Sequence, residues 1–211
     1  MTKATAPQLR SLTTPRAAAW AGVVFALLFG AVLVVLRLPE PTAGRLRVAV
    51  VLMPFAGIAF LWFIGVLRDG LGRLEDRFFT TVFLGSGLLF LAMVFAGTAV
   101  GAGLLRSEQF GVHTEVTAFG HGLLLALTNT YALRMAAVFM MSLATIWLRT
   151  GLMPRWLVVV TYVAAVSELV AGDVSPWMTV TFPVWVLVVS LLMLGRSASR
   201  PAAPMPQPDR G

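Results

Sequence analysis

Long apolar runs, broken only by short polar links, constrain this chain more than any other feature of its sequence. About 20 residues of α-helix, rising 1.5 Å each, cross about 30 Å of hydrocarbon. Six runs meet or approach that length, at residues 17–38, 46–67, 79–105, 123–148, 156–172 and 176–194. Inside a bilayer every backbone N–H and C=O must be satisfied by the protein itself, which leaves helices or closed barrels. A barrel strand would alternate apolar and polar residues over about 10 positions, and these runs do not alternate. The chain is 58% hydrophobic and 12% charged, whereas soluble domains carry about 25% charged residues. The expectation is an all-α membrane protein, a six-transmembrane-helix bundle formed by residues 16–195. Residues 1–15 read as a short polar N-terminal segment. Residues 196–211, with Pro201, Pro204, Pro206 and Pro208 among small residues, read as a disordered tail. The first run is too long for a cleaved signal and should remain as an anchor. The fifth run is the shortest and is interrupted by Glu168; without it, five spans would put the termini on opposite sides.

Basic residues in short loops mark the cytoplasmic side. With the N-terminus inside, the inner segments hold Lys3, Arg10, Arg16, Arg68, Arg73, Arg77, Arg149, Arg155, Arg196, Arg200 and Arg210. The outer loops hold only Arg37, Arg45, Arg47 and Arg106. Eleven against four favours N and C termini in the cytoplasm and a multi-pass location in a bacterial inner (cytoplasmic) membrane. The net charge of +7 is scattered along the flanks of spans, so it points to the bilayer as partner and away from nucleic acid. Cysteine is absent, which excludes disulfides and thiolate metal sites.

Lipid tails are as apolar as leucine, so helices associate in a membrane through close approach and polar contacts. Gly22, Ala26 and Gly30 on the first span, and Gly97 and Gly101 on the third, form small-residue stripes suited to packing within the chain or to dimerisation. In the link at residues 68–79, Asp69, Arg73 and Asp76 are spaced to pair along a helix, which predicts a helical extension at the interface.

Ionisable groups within a span are costly, about 2.5–3.5 kcal/mol at the centre on insertion scales, and usually face the protein interior. Arg134 on the fourth span and Glu168 on the fifth lie about 21 and 18 Å from their cytoplasmic ends. Thr130, Met141 and Thr145 share the face of Arg134, and Thr161, Ala164 and Gly172 share that of Glu168, at 100° per residue. The two stripes are expected to meet as an ion-paired polar seam, serving either helix register, a ligand or a proton-linked step. A second polar cluster, His113, Glu115 and His121 with Asp173, belongs to the outer side. Its spacing fits no zinc motif, so neither a metal nor another cofactor is expected, and the segment reads as an amphipathic lead into span four.

Residues 129–157, NTYALRMAAVFMMSLATIWLRTGLMPRWL, contain an Arg-bearing turn followed by Pro-Arg-Trp-Leu at the head of the next span. The stretch resembles small multi-span bacterial (actinobacterial-like) membrane proteins of uncharacterised function. That resemblance implies a six-helix bundle in a bacterial inner membrane and implies no activity. Three functions stay open. Binding or transport of a small or lipidic ligand would use the Arg134–Glu168 seam. An accessory or scaffold role would dock a protein partner or a second copy. A membrane enzyme would have to use the outer histidines and acids, and is the least supported of the three.

Overall fold

The computed structural model describes residues 15–37, 43–71, 77–109, 114–171 and 178–198. Every described residue outside the 151–154 turn is helical, and no strand occurs among them. The helices are α1 (Pro15–Arg37), α2 (Ala43–Leu71), α3 (Arg77–Gln109), α4 (Thr114–Leu125), α5 (Leu133–Thr150), α6 (Arg155–Ala171) and α7 (Met178–Ala198). A π-helical stretch, Ala126–Ala132, joins α4 to α5 without a break, because the residues at both its ends keep right-handed helical angles. Four stretches are long and apolar enough to cross a membrane: Gly44–Arg68, Phe78–Arg106, Glu115–Thr150 and Met178–Arg196. Ala19–Val35 in α1 is a shorter apolar helix.

Each of the six expected apolar runs lies on one of these rods. The ends differ in two informative ways. The fourth run was expected to begin at residue 123, yet its helix starts at Thr114. Near its start, Gly120 lets Leu104 of α3 come so close that a Cβ there would meet the leucine at 2.6 Å. This stretch packs on α3 and is continuous with the rest of the membrane-compatible stretch Glu115–Thr150. Residues 196–198, expected to belong to the tail, are helical, since α7 continues to Ala198. The remaining tail, residues 1–14 and the centre of the 68–79 link lie outside the described residues.

The helices form a closed ring in chain order: α1 on α2, α2 on α3, α3 on α5, α5 on α6, α6 on α7 and α7 back on α1. Its centre is filled by phenylalanine. Phe25, Phe60, Phe63, Phe83, Phe90, Phe139 and Phe182 are all fully buried. Phe60 is the hub, with ring centroids 4.7 Å from Phe25, 5.2 Å from Phe90, 5.5 Å from Phe139 and 5.7 Å from Phe182. Every rod supplies a ring to this cluster except α6. Outside, large apolar side chains such as Trp62, Phe119 and Val170 stand exposed. Water would not tolerate so extensive an apolar surface, but a bilayer solvates it.

The stripe at Gly22 serves packing within the chain: a Cβ there would collide with Ser190 of α7 and with Phe63 of α2. About two turns further on, a Cβ at Gly30 would meet nothing within 4 Å. Gly97 and Gly101 let α3 approach the α4–π segment at Thr128 and Leu124. At one end of the bundle the Arg149 guanidinium lies over the Phe79 ring, 4.5 Å from its centroid. At the same end Arg196 donates to the carbonyl of Leu152 and reaches the Met153 sulfur at 3.2 Å. The α5–α6 turn there depends on Gly151, whose φ of 65° is left-handed and lets its N–H cap α5 on the Trp147 carbonyl at 2.9 Å. The start of α1, the starts of α3 and α6, and the ends of α2, α5 and α7 thus share one arginine-rich end.

Candidate functional site

The inward face of α6 is set by a four-residue spacing that keeps side chains on one side of a helix. Leu157, Thr161, Ala165 and Glu168 are all buried, while Val159, Val163, Val166 and Val170 are exposed. Thr161 donates to the Leu157 carbonyl at 2.7 Å and accepts from the indole N–H of Trp185 on α7 at 2.9 Å. Glu168 is seven residues on, about 20° around the helix and about 10 Å farther along it. It therefore looks the same way as Thr161, toward the centre and α7, at the level of the first turn of α7. It is 1% exposed, and among the described residues neither of its carboxylate oxygens has a hydrogen-bond partner.

The expected ion pair with Arg134 is consequently not formed, and the reason lies in azimuth rather than depth. Arg134 and Thr145 are eleven residues apart, about 20° around α5. Thr145 meets α6 through a 2.6 Å hydrogen bond to the Tyr162 hydroxyl. Tyr162 is about 120° around α6 from Glu168. The Arg134 stripe thus faces the Tyr162 flank of α6, and the Glu168 stripe faces elsewhere. Arg134 is half-buried and has partners of its own. Thr130 is displaced for a second reason. It belongs to the π-helical stretch, whose wider winding breaks the 100° spacing used to align it with Arg134. Two polar stripes exist, but the single seam does not.

α6 packs closely along α5 and only sparsely on α7. The unpartnered carboxyl therefore lies on the side of the ring with the least protein contact. The aromatic cluster touches α6 only at its edge, where Trp185, 6.1 Å from Phe182 and 6.2 Å from Phe139, donates to Thr161. Tyr162 and Trp185, the residues that fix which way α6 faces, were not singled out from the sequence. A hydroxyl-bearing aromatic within an apolar run was the available signal, since buried Tyr and Trp need a partner for their polar atoms.

The outer cluster is not assembled among the described residues. Glu115 and His121 are both exposed on α4. The His121 Nδ1–H donates to the Thr117 carbonyl one turn back, at 3.0 Å. His113 and Asp173 lie outside the described residues. No three His, Cys, Asp or Glu side chains gather among the described residues in a way that could hold a metal ion.

Neither protein families, curated proteins nor solved structures provide a match to this chain.

Proposed function

We propose that this chain is a six-span protein of a bacterial cytoplasmic membrane, with both ends inside, that binds or transports a small or lipidic ligand at Glu168. The observation that carries the reading is the buried Glu168 carboxyl, with no partner on either oxygen among the described residues. A polar group buried without a hydrogen bond costs about 1–3 kcal/mol on protein scales, and an uncompensated charge costs more. Such a group contributes nothing to holding the bundle together, so its value lies in what it can accept. Its free oxygens suit a ligand bearing a hydrogen-bond donor or a positive charge. The side between α6 and α7 is the natural approach, being the sparsest contact in the ring. The orientation rests on the arginine-rich end, where Arg68, Arg149, Arg155 and Arg196 collect, and on the positive-inside rule.

The cysteine-free sequence permits a direct test. Ala164 is half-buried, one turn from Glu168 toward the arginine-rich end. Ala164→Cys in intact cells should react with a membrane-impermeant maleimide from outside, and a ligand that occupies the site should slow the reaction. Complete inertness of a correctly folded Ala164→Cys protein, in cells and in detergent, would remove the binding reading and leave a scaffold role.

A further inference from the structure

A groove of about 350 Å³ runs between the start of α1 and the end of α2, lined by Ala17, Leu61, Trp62, Gly65, Val66 and Arg68. Its chemistry changes along its length. Arg68 is exposed at the mouth and is the last residue of the membrane-compatible stretch Gly44–Arg68, which places its guanidinium at headgroup level. Gly65 lies one turn deeper and leaves the floor open, since a Cβ there would meet nothing within 4 Å. Leu61 and Trp62 form the wall about another turn below, with Trp62 70% exposed. Among the described side chains, none of those lining the groove is acidic. A planar guanidinium binds phosphate oxygens through two parallel hydrogen bonds, and the apolar trough beneath it suits a hydrocarbon chain. Trp20 and Trp156 are also exposed near this end of the bundle, as expected of side chains at the headgroup boundary.

We infer that this groove is a binding site for one anionic phospholipid, with the phosphate on Arg68 and an acyl chain lying over Gly65 against Leu61 and Trp62. The site is independent of Glu168 and survives if the ligand reading there fails.

The test uses the purified full chain, equilibrated with equal amounts of phosphatidylglycerol and phosphatidylcholine of identical acyl chains, then examined by native mass spectrometry. The wild-type protein should retain phosphatidylglycerol several-fold over phosphatidylcholine. Arg68→Gln should lower phosphatidylglycerol retention about fivefold, the loss expected for one basic residue near an anionic surface, with phosphatidylcholine unchanged. Gly65→Leu fills open space, so it should leave helix content and thermal stability intact and still lower retention. Equal retention of the two lipids by the wild type would overturn the proposal. So would either variant holding phosphatidylglycerol as well as the wild type, or the soluble glycerol phosphate headgroup competing as effectively as the intact lipid.

Discussion

The centre of the ring and the side where α6 faces α7 are built on opposite terms. At the centre, five rods each bring at least one phenylalanine into a cluster around Phe60. Lipid gives helices no hydrophobic reason to associate, so this cluster must gain its stability from close contact. Many small dispersion terms and favourable ring geometries add up there. α6 brings no ring. It offers Thr161, Ala165 and Glu168 on its buried face, and only the threonine is satisfied. One region is filled by mutual ring contacts, and in the other a buried carboxyl has no hydrogen-bond partner among the described residues.

The largest loss of stability should follow from breaking the centre. Phe60→Ala removes a ring in contact with four other helices and should cost about 3–5 kcal/mol, as buried Phe→Ala changes do, measured by reversible unfolding in mixed micelles. A loss below about 1 kcal/mol would mean that the cluster is loosely packed and the contrast unfounded. The smaller loss belongs to α6. Thr161→Val removes the acceptor of the Trp185 N–H and should cost about 0.6–1.7 kcal/mol, the range of interhelical hydrogen bonds in membranes. A cost equal to that of Phe60→Ala would show α6 held as firmly as the rest and would erase the distinction.

Much of the fold could be read from the sequence because helix length in a bilayer is set by hydrocarbon thickness. All six apolar runs lie on helices, and most of the ends fall within a few residues. The exception, residues 114–122, carries Glu115, Gly120, His121 and Gly122. It packs along α3, and a hydropathy window has no access to that contact. The aromatic centre was not read, since a phenylalanine in a membrane run can face lipid or protein. Phe55 is exposed on α2, while Phe90 and Phe139 are buried; only the order of helices in the ring separates them. At the site, the sequence indicated that Glu168 and Thr161 share a face, and the structure places them so. It did not indicate which neighbour that face meets. Depth along an axis follows from counting, but rotation toward a partner depends on contacts such as Thr145–Tyr162 and Thr161–Trp185.

On this reading the Glu168 carboxyl opposes stability rather than supporting it, and the thermal unfolding of Glu168→Leu tests this most directly. Replacing an unpartnered buried carboxyl with an apolar side chain of similar reach should raise stability by about 1–3 kcal/mol. Any ligand-dependent stabilisation of the wild type should disappear in the same variant. A loss of stability of that size instead would show that the carboxyl has a structural partner, and would contradict the account.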